Sequence, residues 1–234
     1  MTTAIILAGG FGTRLRSVVA DRPKALAPVA GRPFLAWQLD WLSAQGVTAA
    51  VLAVHHMAEQ IIAFAEAHAG PVRLAIVREA EPLGTGGAVV NAMRETGLRD
   101  EVLVINGDTD FSFAIAPVVA GHRASGALAT LVAARVPDVA RFGTLMLDGD
   151  RVTGFAQATG VREPGWVNAG AYLLDPAVFA EAPAGAFSIE KDFFPPLAAR
   201  GALRAHIIDA DQAFFDIGTP ESYATFQTRR PSPP

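Results

Sequence analysis

The sequence contains no cysteine, which excludes disulfide bonds, thiolate metal sites and a thiol nucleophile. Hydrophobic residues make up 51% of the chain, yet no apolar run approaches the roughly 20 residues that span a bilayer. No basic segment precedes the first apolar residues, so we expect no secretory signal. The pI near 5.7, without basic stripes, argues against nucleic-acid binding. We therefore expect a cytoplasmic protein with no membrane or nucleic-acid partner.

Lysine is also scarce, because only Lys24 and Lys191 among the 19 basic residues are lysines. A lysine ammonium is a compact, flexible charge that follows a moving phosphoryl group more easily than the planar arginine side chain. Both lysines are therefore candidate phosphate ligands, against the plainer alternative that their positions are accidental. The histidines show no metal-ligand spacing, and no Ser-His-Asp set indicates a hydrolase.

The most informative segment is the apolar run Ala4–Leu7 with the glycine-rich turn and the cations that follow it. Glycines let consecutive backbone N–H groups line a concavity that binds anions. Arg14 adds a planar fork suited to phosphate oxygens, and Lys24 adds a point charge. The segment therefore predicts a polyphosphate site. Its candidate nucleotide-binding residues are Leu7, Ala8, Gly9, Gly10, Gly12 and Thr13.

Two better-known phosphate loops fit this segment poorly. The dinucleotide fingerprint G-x-G-x-x-G would need a third glycine where the chain has Leu15. A Walker loop would need a lysine directly after its last glycine. A simple strand-to-helix turn would leave Arg14 and Lys24 unexplained.

Two aspartates follow apolar segments near residues 108 and 216. Asp108 comes after Val102–Ile105, and Asp216 comes after a pair of phenylalanines. Open α/β sheets bind ligands at the carboxyl ends of their strands, and carboxylates together with substrate phosphates are the usual ligands of Mg²⁺. We therefore expect Asp108 to bind Mg²⁺, although it could also belong to a turn after the strand. Asp216 taken alone is more often a capping or turn aspartate, and it becomes a second candidate Mg²⁺ ligand when its D-I-G-T-P motif is considered together with N-G-D.

Strands and helices alternate in the first half of the chain, which predicts a parallel sheet with crossover helices. More strand-like runs follow residue 125, and we expect them to form a mixed, partly antiparallel half. The elements expected are strands 4–7, 48–54, 72–77, 101–105, 127–135, 144–147, 151–155 and 167–174, and helices 33–45, 58–68 and 84–97. We expect one domain, with a nucleotide-binding half at about 1–125, a sugar-binding half at about 126–228 and a frayed tail at 229–234.

The segments G-G-x-G-T-R-L…P-K, L-G-T-x-G-A, N-G-D and D-I-G-T-P together resemble the signatures of sugar-1-phosphate nucleotidyltransferases. The resemblance covers nearly the whole chain and is nearest to the heptose 1-phosphate guanylyltransferase branch. It implies an α/β nucleotide-diphospho-sugar transferase (Rossmann-like) fold with a mixed, mostly parallel central sheet flanked by helices. It also implies Mg²⁺-dependent transfer of a nucleotidyl group from an NTP to a sugar 1-phosphate. Arg14, Lys24 and Asp108 are the catalytic residues in this interpretation.

The same resemblance assigns Gly84 and Thr85 to the nucleobase. Glu79 and Glu81 precede them, and a carboxylate can accept the paired N1–H and N2–H₂ donors of guanine, which uracil and thymine lack. GTP is therefore the favoured substrate. The alternative is that both glutamates are solvated loop charges.

For the sugar phosphate, the resemblance implies Asn168 and Gly170 from N-x-G-x-Y, with Glu190 and Lys191 from S-x-E-x-D-x-x-P. One departure concerns the F-x-E-K stretch of many relatives, whose lysine is replaced here by Ala158. The missing contact then has to come from Lys191 or Arg162.

The favoured function is guanylyl transfer to D-glycero-α-D-manno-heptose 1-phosphate. The alternatives are a uridylyltransferase acting on another sugar 1-phosphate, a non-catalytic subunit that senses NDP-sugars, and a dehydrogenase, which the missing third glycine disfavours. A homodimer is compatible with the sequence.

Overall fold

The computed structural model describes residues 2–140, 142–158, 160–208 and 214–229. Of the tail expected to be frayed, only Arg229 belongs to these ranges, and residues 230–234 lie outside them. The strands are β1 (Thr3–Leu7), β2 (Pro28–Val29), β3 (Arg32–Pro33), β4 (Ala49–Val54), β5 (Arg73–Arg78), β6 (Val102–Asn106), β7 (Thr109–Phe111), β8 (Ala129–Val136), β9 (Thr144–Asp148), β10 (Arg151–Ala156), β11 (Gly165–Leu174), β12 (Leu203–Ile208) and β13 (Phe214–Asp216). The helices are α1 (Phe34–Ala44), α2 (Ala58–Ala67), α3 (Gly84–Thr96), α4 (Ile115–Ser125), α5 (Phe194–Ala199) and α6 (Pro220–Arg229).

Helix ends follow the local chemistry of the sequence. Gly97 and Gly126 adopt φ values of +70° and +62° directly after α3 and α4, a left-handed conformation that glycine adopts without strain. At the start of α6, the Thr219 hydroxyl accepts a hydrogen bond from the Ser222 N–H at 3.2 Å, so Thr219 is the N-cap and Pro220 the first helical residue.

Nine strands form the main sheet in the order β5-β4-β1-β6-β11-β8-β12-β10-β9. The pairs β5–β4, β4–β1 and β1–β6 are parallel, which confirms the prediction for the first half. Strand β11 then runs antiparallel to both β6 and β8, while β8 and β12 are parallel. The parallel arrangement is thus concentrated in the first half of the chain, and the second half is mixed.

Both faces of the central strands are buried, because helices or loops cover the sheet on each side. In β1, Ala4 and Ile6 join one apolar cluster while Ile5 joins the cluster on the opposite face. Strand β6 alternates in the same way, with Leu103 on one face and Val104 on the other. This double burial explains why these strands are continuous apolar runs and lack an alternating polar pattern.

Most predicted elements are present with ends shifted by one or two residues. The sequence analysis did not predict α4, β12 or the short antiparallel ribbon of β7 and β13. In the described ranges, no helix combines the length and apolar character needed to cross a membrane.

Candidate active site

Two cavities meet at the carboxyl ends of β1 and β6. The first, about 390 Å³, lies over the glycine-rich turn, and the second, about 650 Å³, lies over β10 and β11. The residues that line both cavities are Arg14, Asn106, Asp108 and Glu190. The junction lies where parallel β6 adjoins antiparallel β11, so the pairing direction changes there. We refer to the two spaces as the nucleotide cavity and the sugar cavity.

The glycine-rich turn is held in place by its neighbours on both sides. The Ala8 N–H donates to the Ala53 carbonyl at 2.9 Å, and the Gly107 N–H donates to the Leu7 carbonyl at 3.1 Å. Gly12 has a φ of +59°, so the turn requires a residue that tolerates the left-handed region. The six candidate residues from Leu7 to Thr13 all line the nucleotide cavity. The structure therefore brings the predicted phosphate loop to the site.

Lys24 lies between the two predicted metal ligands. Its Nζ is 2.5 Å from Oδ2 of Asp108, and its side chain is only 13% exposed. A Cβ at Gly218 would lie 2.9 Å from this Nζ and 2.5 Å from Oδ1 of Asp216. Burial raises the pKa of Asp216, as does the charge of Asp108, whereas Lys24 lowers it. The two carboxylates repel each other, and the Lys24 ammonium offsets part of their negative charge. The site therefore favours positively charged groups.

The other cations of the predicted phosphate segment have separate roles. Arg22 pairs with Asp21, and Arg32 pairs with Asp40 across the surface. Arg14 is exposed and lines both cavities, as expected of a ligand for the departing phosphates. The basic cluster of the sequence thus contributes Arg14 and Lys24 to the site.

Gln38 of α1 holds the turn that carries Asp108. Its Nε2 donates to the carbonyls of Asn106 and Thr109, each at 2.8 Å, and the side chain is 1% exposed. On the other side, β7 pairs with β13 in a register that places Thr109 opposite Asp216. These contacts fix the two aspartates relative to each other, although 107 residues separate them in the sequence.

The donor set fits a divalent cation with few protein ligands. Across the described ranges, no group of three or more acidic, histidine or cysteine side chains is arranged to hold a metal. Asp108 and Asp216 could supply two carboxylates to such a cation, with phosphate oxygens and water as its other ligands, which is a usual arrangement for Mg²⁺.

The structure separates the two glutamates proposed to read the base. Glu79 lines the nucleotide cavity and is 7% exposed, and burial raises the pKa of its carboxyl. Its Oε2 accepts the Leu83 N–H at 2.9 Å. Glu81 is exposed and lines a separate depression between β5 and α3, outside both cavities. Only Glu79 is therefore placed to contact a base.

The glycines that open α3 contact protein, which the sequence analysis did not foresee. A Cβ on Gly86 would lie 2.0 Å from Cε2 of Phe187, and a Cβ on Gly84 would lie 2.5 Å from the Phe187 carbonyl oxygen. The Thr85 hydroxyl accepts the Ile189 N–H at 2.9 Å. These glycines let the segment that carries Glu190 approach α3, while Gly84 and Thr85 still line the nucleotide cavity.

The predicted sugar residues meet at a bulge in β11. Asn168 donates from Nδ2 to Oε1 of Glu190 at 3.1 Å and to the Tyr172 hydroxyl at 2.9 Å. Gly170 has a φ of +80°, and a Cβ there would lie 2.6 Å from Nδ2 of Asn106. The structure therefore places Asn168, Gly170 and Glu190 together on the sugar cavity.

Lys191 also lines the sugar cavity, as does Ala158, which replaces the lysine of related sequences. Arg162 does not line the cavity, because its guanidinium faces Asp138 at 3.7 Å and its side chain is 88% exposed. Of the two candidates for the missing contact, the structure thus brings Lys191 to the cavity and leaves Arg162 on the surface.

Sequence reasoning missed several residues of the site. Phe11 and His55 line the nucleotide cavity with ring centroids 5.8 Å apart, although the histidines had carried no signal. Asn106 could have been found from its N-G-D motif. Gln38 is buried within a helix, where its hydrophobic neighbours conceal it. Tyr172 is the last residue of the N-x-G-x-Y segment, but the sequence analysis assigned it no role.

Comparisons with known proteins give a consistent result. A model of the nucleotidyl transferase family matches residues 3–230. The chain is 35% identical to a D-glycero-α-D-manno-heptose 1-phosphate guanylyltransferase of Aneurinibacillus thermoaerophilus, over 96% of each chain. It is 33% identical to a probable mannose-1-phosphate guanylyltransferase of rice, covering 95% of this chain and 63% of the rice protein. The crystal structure of HddC from Yersinia pseudotuberculosis, also solved in complex with GMP-PN, superposes with a TM-score of 0.87 at 32% identity, over 98% and 99% of the two chains.

Proposed function

Because this chain belongs to the nucleotidyl transferase family, we propose that it transfers a guanylyl group from GTP to a sugar 1-phosphate, with D-glycero-α-D-manno-heptose 1-phosphate as the favoured acceptor. One observation supports this proposal above all others. A nucleotide cavity and a sugar cavity share a junction lined by Arg14, Asn106, Asp108 and Glu190, with Lys24 paired to Asp108. Two substrates bound there would have their reacting phosphates side by side.

The reaction needs no strong general base, since the attacking group is already an anion. A phosphate oxygen of the sugar 1-phosphate forms a bond to the α-phosphorus, and the bond from that phosphorus to the bridging oxygen breaks to release pyrophosphate. Lys24 stabilises the charge that develops on the α-phosphate, and Arg14 holds the departing pyrophosphate. Catalysis is then positioning and preorganised electrostatics.

Asp108 and Asp216 would hold Mg²⁺. The ion, when bound, neutralises phosphate charge and orients the phosphates for in-line displacement. Since the Lys24 ammonium contacts Asp108, it lies beside a carboxylate that would hold the ion and could also contact the α-phosphate. The chain's own part is to hold Asp108 at the junction of the cavities and Asp216 close to it in the sugar cavity.

The base preference is assigned to Glu79. It lies in the nucleotide cavity, and a carboxylate can accept the two adjacent donors of guanine. The assignment of heptose as the sugar is supported by the heptose 1-phosphate guanylyltransferase relative named above. Asn168, Glu190 and Lys191 are the residues proposed to recognise that sugar. We also propose that the enzyme works in the cytoplasm. A homodimer remains a prediction, which light scattering of the purified protein would test.

Pyrophosphate release provides the direct test. The purified protein is assayed with GTP, ITP, UTP, dTTP and ATP against the 1-phosphates of heptose, mannose and glucose, with Mg²⁺. We expect GTP with the heptose phosphate to be the best pair. ITP lacks the N2 amine and should lose about 5- to 150-fold, because a buried acceptor left without its donor costs about 1–3 kcal/mol.

The Glu79→Gln variant should lower the ratio of activity with GTP to activity with UTP. Glu81→Gln is the control and should leave this ratio unchanged, because it alters an exposed carboxylate outside the cavity. UTP as the best substrate of the unmodified enzyme would overturn the guanylyl assignment. Absence of pyrophosphate release with every pair would overturn the enzymatic function.

A further inference from the structure

A buried tyrosine lies behind the sugar cavity. Tyr172 is fully buried, does not line either cavity, and packs edge-on against Phe194 with ring centroids 5.0 Å apart. Its hydroxyl nevertheless reaches the site, because it donates to Oε1 of Glu190 at 2.5 Å. Glu190 lines both cavities.

The hydrogen bonds around Glu190 are unevenly divided between its two oxygens. Oε1 accepts from the Tyr172 hydroxyl and from Nδ2 of Asn168. Among the residues that the structure describes, Oε2 accepts no hydrogen bond. An ionised carboxylate can only accept, and each oxygen has two lone pairs. Oε1 is therefore saturated by protein donors, and Oε2 is the oxygen left for a ligand.

Asn168 is engaged in the same way. Its Nδ2 lies within hydrogen-bond distance of both the Tyr172 hydroxyl and Oε1 of Glu190, two atoms that are 2.5 Å apart, and its Oδ1 accepts the Gly170 N–H at 2.9 Å. Both ends of the Asn168 amide are thus held by protein groups, which keeps its Nδ2 beside Oε1 of Glu190. The acceptor that remains for the sugar is Oε2 of Glu190, which lines the sugar cavity.

We propose that Tyr172 is a positioning residue that sets the sugar specificity of the site. Its hydroxyl fixes the Glu190 carboxylate so that Oε2 reads one hydroxyl of the sugar 1-phosphate as a hydrogen-bond donor. The inference rests on the proposed function and deepens it. The acceptor must therefore carry a free hydroxyl at that ring position, and a deoxy or fluorodeoxy sugar is rejected there.

The tyrosine is suited to this role because it remains a donor. Burial and the nearby Glu190 charge both raise the pKa of Tyr172 well above its usual range, so the phenol keeps its proton throughout the working pH range. Its ring is fixed between the strand and Phe194, which leaves the hydroxyl with one direction.

The test uses Tyr172→Phe, with Tyr223→Phe as a matched control. These are the two tyrosines of the chain, and the Tyr223 hydroxyl donates to the Pro28 carbonyl, away from both cavities. The probes are D-glycero-α-D-manno-heptose 1-phosphate and its ring monodeoxy and monofluorodeoxy analogues, each assayed with GTP. For the unmodified enzyme, one analogue should lose about 10- to 150-fold in kcat/KM, as for a hydrogen bond to a charged group.

In Tyr172→Phe, the reduction in kcat/KM for that analogue should be at least about fivefold smaller than in the unmodified enzyme. The KM for GTP should change by less than about twofold. Tyr223→Phe should keep the full loss. An unmodified enzyme that accepts every deoxy analogue equally, or an unchanged loss in Tyr172→Phe, would contradict the inference. Those outcomes leave the proposed function intact, since that function is contradicted only when the unmodified enzyme releases no pyrophosphate.

Glu190→Gln gives a second test that does not depend on the folding of the tyrosine variant. Because Oε1 faces two donors, the glutamine oxygen must take that position, and its NH₂ group must turn to the sugar. The acceptor becomes a donor, so the fluorodeoxy analogue, which cannot donate, should be penalised less than in the unmodified enzyme. A fluorodeoxy penalty as large as before would show that the Tyr172 and Asn168 donors do not orient this side chain.

Discussion

At the scale of single residues, the two lysines have different surroundings, so we expect their replacement to change different kinetic constants. Lys24 is mostly buried against Asp108, whereas Lys191 is exposed at the rim of the sugar cavity. Lys24→Ala should lower kcat by about 10²–10³, as for other preorganised electrostatic groups. Lys191→Ala should mainly raise the KM for the sugar 1-phosphate. Steady-state kinetics for both substrates distinguish these patterns, and near-normal turnover of Lys24→Ala would refute its role.

The two aspartates should share one phenotype. Asp108→Asn and Asp216→Asn each remove a charge from a site with few protein ligands, so the Mg²⁺ concentration for half-maximal activity should rise several-fold in each variant. Asp150→Asn is the control, since Asp150 pairs with Arg204 on the surface. A Mg²⁺ titration measures all three. An unchanged midpoint for both site variants would mean that other groups hold the ion.

At the scale of elements, the start of α3 depends on the absence of a side chain at Gly86. Gly86→Ala places a Cβ into the Phe187 ring, and overpacking of this kind costs about 1–3 kcal/mol of unfolding free energy. Gly121→Ala in α4 should have the opposite sign, because the nearest atom would be 3.7 Å away and alanine favours a helix interior by about 0.5–1 kcal/mol. Urea unfolding compares the two variants, and a Gly86→Ala protein as stable as the unmodified chain would show that Phe187 moves freely.

Motif glycines, charged residues and strand ends were predictable because each has a local cause. The sequence alone predicted the phosphate loop, Lys24 and both aspartates, which line the two adjoining cavities, and it predicted the family, which the family model confirms. The sequence could not separate Glu79 from Glu81, since only the path of the chain after β5 turns one of them into the cavity. It also assigned the α3 glycines to the base, whereas their close contacts are with Phe187, about 100 residues away.

Buried polar residues were the hardest to predict. Gln38 lies on a regular element among apolar neighbours, so periodicity assigns its position to the core. The N-x-G-x-Y segment contains Tyr172 but does not indicate which group its hydroxyl contacts. Their importance depends on which backbone carbonyl or carboxylate lies opposite, and that is set by tertiary packing.

At the scale of the whole molecule, the two predicted halves share one sheet, because β6 of the first half pairs with β11 of the second. We predict a single cooperative unfolding unit. Trp37 and Trp41 lie in α1, and Trp166 lies in β11, so the three tryptophans report on different halves. A Trp166→Phe variant and a Trp37→Phe/Trp41→Phe variant should each show one fluorescence transition that coincides with loss of circular dichroism. Separate transitions would indicate two independent domains.

The pairing of β13 with β7 has a consequence for biosynthesis. Ribosomes deliver the chain from its N-terminus, so the glycine-rich turn, Lys24 and Asp108 all emerge well before residue 216. Until Asp216 pairs opposite Thr109, the nascent polypeptide holds Asp108 and lacks the second carboxylate proposed to bind Mg²⁺. The proposed metal site is therefore completed late in synthesis, when β13 reaches β7 and the C-terminal strands have joined the sheet.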